Sequence, residues 1–130
     1  MAFDWNEYLV IAKDLKTETN SESATSSTEA KQRTAVSRAY YAVFHLAKDF
    51  AKDNLGYEPK KYGPNQDHSD VRGVYRSRMD NPDYQEVGKI LFGLHKARKN
   101  CDYDDDLGNP KSLLDSSVIQ ADKIQSILTS

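Results

Sequence analysis

Hydrophobic residues recur every three or four positions along most of this chain, and that spacing predicts helices. The clearest run is residues 34–50, T-A-V-S-R-A-Y-Y-A-V-F-H-L-A-K-D-F. At about 100° per residue, Val36, Ala39, Tyr40, Val43, Leu46, Ala47 and Phe50 gather into one wide apolar stripe, the pattern of a core-facing helix. Arg38, Tyr41 and His45 share the opposite face, within about 60° of one another. Small alanines let a neighbouring helix approach, and no Gly or Pro interrupts the run. This stretch is expected to form the central helix.

The flanking segments follow the same logic. Asp4 can cap a first helix that carries Trp5, Tyr8, Leu9, Ala12 and Leu15 at helical spacing. Beyond Lys16 the periodicity stops, and residues 17–28 read as a flexible Ser/Thr-rich connection. Its end, Ser26-Ser27-Thr28-Glu29, fits a capping box for the central helix. Asn54-Leu55-Gly56 supplies a stop, and the prolines and glycine of residues 57–67 predict a loop. A shorter helix is expected over 68–79, with Val71, Val74 and Tyr75 inward and Arg72, Arg76 and Arg78 toward solvent. Asn81-Pro82-Asp83 opens the next helix, which should reach Cys101 or a little beyond. An acidic turn follows, and Asn109-Pro110 then combines an N-cap with a proline at the first helical position. Leu113, Leu114, Val118, Ala121, Ile124 and Leu128 give the last helix its stripe. No segment reads as strand. The expected fold is all-α: an antiparallel four-helix-type bundle with one additional short helix, in a single domain of 130 residues.

Composition narrows the function classes. With 38% hydrophobic and 29% charged residues, the chain has the balance of an ordinary soluble domain. A net charge of −2 means that any contact with nucleic acid must use a local patch. The single cysteine, Cys101, suits a reducing compartment. No apolar run approaches the roughly 20 residues that span a bilayer, and M-A-F-D-W-N-E-Y is acidic where a signal peptide needs a basic start. The expectation is a cytoplasmic protein without membrane association.

One residue breaks the pattern. Val87, Ile90, Leu91, Leu94 and Cys101 all project within about 80° of Arg98, so an arginine sits in the middle of an apolar stripe. Desolvating a guanidinium without a partner is costly. Asp102 lies one turn on, about 40° away on the wheel. Arg98 must therefore meet Asp102, another helix or a ligand.

The pieces S-R-A-Y-Y-A-V-F-H-L-A and R-K-N-C-D-Y-D, the latter beginning at Arg98, resemble two signatures of HEPN domains, in particular the small prokaryotic stand-alone members. The resemblance covers most of residues 34–106. It implies a helical bundle, a homodimer in which two copies of the Arg motif line a shared cleft, and an interaction with RNA or a nucleotide. In the ribonuclease members, the arginine stabilises phosphate charge and a histidine a few residues later moves protons as the ribose 2′-hydroxyl attacks, without a metal. Here four residues separate Arg98 from Tyr103, so tyrosine stands where that spacing would place histidine. An ordinary phenol titrates near 10, which makes it a poor base at neutral pH. His45 or His95 could substitute, and His95 is the nearer on the wheel.

The candidate catalytic residues are thus Arg98, Tyr103 and Asp102. Arg38, Tyr41, His45, His95, Asn100 and Asp104 are candidates for substrate binding. No cofactor and no metal site is expected. Each site also has a plainer reading. Arg98 with Asp102 can be an ion pair closing the bundle, and Arg38, Tyr41 and His45 can be a solvated or dimer-contact face. Arg72, Arg76 and Arg78 with Lys60 and Lys61 can follow a phosphate backbone or simply form a charged surface. Three functions compete: a metal-independent endoribonuclease of a toxin–antitoxin or defence system, an RNA- or nucleotide-binding module, and a silent partner subunit for a minimal nucleotidyltransferase that could modify Tyr103.

Overall fold

Five helices follow one another in the computed structural model, which describes residues 2–59 and 66–130: α1 (Asn6–Asn20), α2 (Ser26–Asn54), α3 (Gln66–Arg76), α4 (Pro82–Tyr103) and α5 (Pro110–Thr129). No strand occurs among the described residues. The all-α expectation holds, with four long helices and one short one.

α2 is the axis, and it packs against all four of the others. Most of its stripe is buried as the spacing requires, with Val36, Ala39, Tyr40, Val43 and Ala47 each at most 1% exposed, while Leu46 and Phe50 are half-buried at its edge. Each of the two valines, taken from water, contributes roughly 1.5–3 kcal/mol. Polar pairs fix the directions. Lys31 with Glu18 and His45 with Trp5 make α1 antiparallel to α2. Lys13 with Asp122 and Lys16 with Asp115 make α5 antiparallel to α1. Phe50 with Tyr84 at one end, and Arg33 with the Cys101 carbonyl at the other, set α4 antiparallel to α2.

The predicted punctuation is largely realised. Asn81 and Asn109 accept from the backbone N–H groups of Tyr84 and Ser112, each at 3.0 Å, and a proline follows each cap. Gly56 takes φ +72°, a left-handed conformation that closes α2 and lets the Tyr57 N–H return to the Ala51 carbonyl at 3.1 Å.

The region of residues 17–28 differs from the sequence reading. α1 continues to Asn20, and Thr25, one residue before the expected box, caps α2 through the Thr28 N–H. The cause is tertiary. Thr19 is buried with its hydroxyl turned onto the Leu15 carbonyl at 2.8 Å, so a polar residue adds to the helix instead of ending it. Lys31 then reaches back to both Glu18 and Glu22, and the Thr28 hydroxyl lies 2.7 Å from the Ser23 carbonyl. Glu29 does not close the box but pairs with Arg33 at 2.9 Å.

α3 is the element that positions the candidate site. Tyr75, fully buried, donates to the Ala47 carbonyl at 2.7 Å. Asp67 at its start accepts from Tyr57 at 2.6 Å and pairs with Lys48 at 3.0 Å. Gln85 reaches its last turn through the Arg76 carbonyl at 2.7 Å. Gly88 of α4 lets the two helices touch: a Cβ there would lie 2.8 Å from Arg76 Cγ and 3.4 Å from the Arg72 carbonyl. α3 is thus tied to α2 and α4 along its whole length. Lys60 and Lys61 lie outside the described residues.

Candidate functional site

Arg98 is 85% removed from solvent along its side chain by contrast with its ion-pair partner: 15% of it remains exposed, against 38% for Asp102. Its Nη1 donates to Asp102 Oδ2 at 3.0 Å. The guanidinium carbon stands 5.5 Å from the Tyr41 ring centre and 5.9 Å from that of Tyr40, both on α2. Its Nε, however, is buried with no hydrogen-bond partner among the described residues. Asp102 therefore answers only part of the charge that the wheel placed on the apolar stripe.

Around it lie groups from three helices. His95, one turn earlier on α4, is 5.5 Å from Tyr40, centre to centre. His68 of α3 stacks on His95 at 5.0 Å and on Phe44 at 4.3 Å, and a ring nitrogen, Nδ1, meets the Tyr40 hydroxyl. Arg72, one turn further along α3, stands 5.5 Å from the Phe92 ring centre, and its Nη1 is likewise buried without a partner among the described residues.

The electrostatics follow from this crowding. Burial pushes His68 down to about 4, and the positive charges of Arg98 and Arg72 reinforce it against the opposing pull of Asp67. His95 is also driven to about 4, by burial first and then by His68, Arg72, Arg98 and Lys99. Both imidazoles are neutral at pH 7. Burial raises the Tyr40 phenol even though both arginines oppose it, so that group keeps its proton. Two fixed cations, two neutral imidazoles and a phenol can bind an anion. A neutral imidazole can also accept a proton.

The remaining candidates separate. Tyr41 joins the cluster, but Arg38 and His45, which share its face of α2, are covered by α1. Arg38 lies 4.7 Å above the Tyr8 ring, and His45 stacks on Trp5 at 3.6 Å and 9°. Burial lowers His45, with Lys48 adding to the effect and Asp49 opposing it. Tyr103, at the end of α4, is 76% exposed, and no hydrogen bond of its hydroxyl occurs among the described residues. Asn100, two residues after Arg98, is half-buried, and its carbonyl accepts from the Asp104 N–H at 2.9 Å. Asp104 is exposed, with its carbonyl 2.6 Å from Arg33 Nη1. Cys101 is buried, its thiol raised to about 11 by that burial.

Three contributors are absent from the candidate site residues read from the sequence. His68 stands at the edge of a predicted loop, and Arg72 is expected toward solvent with Arg76 and Arg78, as part of a charged surface or a phosphate-tracking patch. Arg33 was not singled out, yet it holds the carbonyls of Cys101, Asp104 and Asp105 and so closes the C-terminal end of α4. Arg78 is structural too, donating to the Leu55 carbonyl at 2.7 Å.

Other grooves lie along the bundle. One of about 290 Å³ is bordered by Trp5, Leu46, Asp49 and Gln125, another of about 380 Å³ runs between α4 and α5 beside Ile90, Leu94, Leu113 and Gln120, and a third of about 640 Å³ lies beside Thr19, Thr28, Gln32 and Lys111. None of these three gathers histidine, cysteine or arginine, whereas one of about 590 Å³ is bordered by Arg76, Gln85, Lys89 and Phe92. Among the described residues no group of three or more His, Cys, Asp or Glu side chains is arranged to hold a metal ion, and no helix is long and apolar enough to cross a membrane. No protein-family profile, curated protein or solved structure matches the chain.

Proposed function

We propose that this protein is an RNA-acting HEPN-type protein, a homodimer that cleaves RNA without a metal through the cluster around Arg98. The observation that carries this reading is the Arg98 Nε–H, buried without a partner among the described residues and beside two neutral histidines. A guanidinium in that state is stabilised by the oxygen of a phosphate, which replaces the missing acceptor. The reaction is an internal transfer. The ribose 2′-oxygen bonds to phosphorus as the bond from phosphorus to the 5′-oxygen breaks. The 2′ proton passes to the unprotonated ring nitrogen of His95, and the departing 5′-oxygen takes a proton from water. Arg98 stabilises the charge that gathers on the non-bridging oxygens. His95 is a weak base while it is buried beside the charges of Arg72, Arg98 and Lys99, and an arriving phosphate, being anionic, strengthens it.

A second reading has its own support. Tyr103 presents its hydroxyl to solvent at the closed end of α4, as a residue modified by a partner would. In that reading the chain is a helical subunit for a nucleotidyltransferase-type protein, and Tyr103 is the group modified.

One experiment separates them: incubation of bulk RNA in EDTA with the wild type, Arg98→Ala, His95→Ala and Tyr103→Phe. Cleavage that is lost with the first two variants and kept with Tyr103→Phe is expected. Intact RNA in every lane, with a folded and dimeric wild type, would overturn the nuclease reading and favour the partner subunit.

A further inference from the structure

Arg98 is one of two arginines at this place with a buried N–H that lacks an acceptor among the described residues. The other, Arg72, comes from a different helix. Their fields overlap: the charges of Arg72 and Arg98 both act on Tyr40, on His68 and on His95. Two guanidinium groups near one another repel, and each rests on aromatic faces, Arg98 on Tyr40 and Tyr41 and Arg72 on Phe92. Such contacts are individually weak. A charged hydrogen bond left unmade in a buried place costs about as much as one of them contributes, or more. An anion between the arginines removes both the repulsion and the unmade bonds.

The tautomer of His68 can be worked out from its neighbours. Its ring faces are occupied by Phe44 and His95, so only the edge nitrogens can meet polar groups. Nδ1 meets the Tyr40 hydroxyl, which has no other hydrogen-bond partner among the described residues. If Nδ1 carried the proton, the phenol hydrogen of Tyr40, 1% exposed, would have no acceptor. Tyr40 therefore donates, Nδ1 accepts, and the proton of His68 is on Nε2.

We propose that α3 supplies half of the phosphate site: Arg72 opposes Arg98 across a single phosphate group of the RNA, and Tyr40 is a positioning residue that keeps His68 as an Nε2–H donor toward that group. This rests on the RNA-acting reading for the identity of the ligand, but not for the existence of the anion site. Both orphaned N–H groups lie below the surface, turned onto rings. The phosphate draws them out by rotation of the outer arginine torsions, while the anchored backbone of α3 stays in place.

The test combines nitrogen-15 NMR of the histidine rings, a titration with inorganic phosphate, and the RNA assay, using the wild type, Arg72→Ala, Arg72→Lys and Tyr40→Phe. In the wild type the His68 ring is expected to show the Nε2–H tautomer and to shift with phosphate together with the Arg72 and Arg98 side-chain N–H signals. Arg72→Ala should weaken phosphate binding and RNA cleavage at least tenfold. Arg72→Lys, which keeps the charge without the fork, should recover part of both. Tyr40→Phe, a replacement that preserves the ring in the core, should mix the two tautomers. Cleavage that survives Arg72→Ala within twofold, or a His68 proton found on Nδ1, would overturn the proposal and leave the nuclease reading standing. Arg72-dependent phosphate binding without any cleavage would do the reverse. Neither binding nor cleavage would end both.

Discussion

The two flanks of α2 use nearly the same residue types to different ends. On the α1 flank, Arg38 lies over Tyr8 and His45 lies flat on Trp5, one ring for each polar group. On the α3–α4 flank, two arginines and two histidines share Tyr40, Tyr41, Phe44 and Phe92, and two guanidinium N–H groups have no acceptor among the described residues. Burial lowers the pKa of the histidine on either flank; at His45 one cation, Lys48, adds to it and Asp49 opposes it, whereas two guanidinium charges deepen it at His68, against Asp67, and at His95. The first arrangement is complete without a ligand. The second leaves two buried guanidinium N–H groups without acceptors among the described residues, and that difference is the basis for the function proposed above.

The comparison breaks most directly at its two arginines. Arg98→Ala should reduce RNA cleavage at least a hundredfold, the usual scale for removing one donor to a developing oxyanion, whereas Arg38→Ala should change it less than twofold. Equal losses in the two variants, measured as initial rates in EDTA, would erase the distinction between the flanks.

Acid should weaken the α3–α4 flank next. The folded values of about 4 for His68 and His95 lie below the ordinary 6.5, so the unfolded chain binds more protons between those limits. The stability tied to the two neutral rings is fully present above pH 6.5 and is lost as the pH falls toward 4. The urea midpoint should therefore fall between pH 7 and pH 4.5, and histidine NMR should place both groups below His45. A midpoint that rises over that interval would contradict the assignment.

Trp5→Ala removes the ring stacked on His45 and its edge contacts with Phe3 and Tyr8. A half-buried tryptophan at a helix start should cost about 1–2 kcal/mol in urea denaturation, below the 3–5 typical of core positions, with phosphate binding unchanged. A loss of phosphate binding would link the flanks. The smallest effect is expected at Gly88→Ala. The added methyl meets Arg76 Cγ and the Arg72 carbonyl, so about 1 kcal/mol of destabilisation is expected, concentrated in α3 and visible as faster amide exchange there than in α5.

Local signals explain why so much of the fold was legible. The α2 stripe, the Asn-Pro starts of α4 and α5, and the glycine at residue 56 each act within a few residues of themselves, so a single sequence contains them whole. Arg98 stood out for the same reason, as a charge on an apolar stripe. What escaped depended on distant parts of the chain. Arg33 meets carbonyls 68 or more residues away, and Thr19 is buried although its own segment carries no apolar stripe. His68 and Arg72 gain their meaning only when α3 lies against α4. A helical wheel shows which residues share a face, but not what the next helix brings to it, which is also why Arg38, Tyr41 and His45 share a face and yet have different neighbours.

The chain has one tryptophan, and it is the residue stacked on His45. Its indole emission is therefore an optical reporter built into the α1–α2 junction. A protonated imidazole in face contact quenches indole fluorescence, so acid titration of His45 dims the signal while α1 remains docked. Undocking of α1 exposes the ring to water and shifts the emission to longer wavelength. Intensity and colour thus report two different events from a single unlabelled side chain.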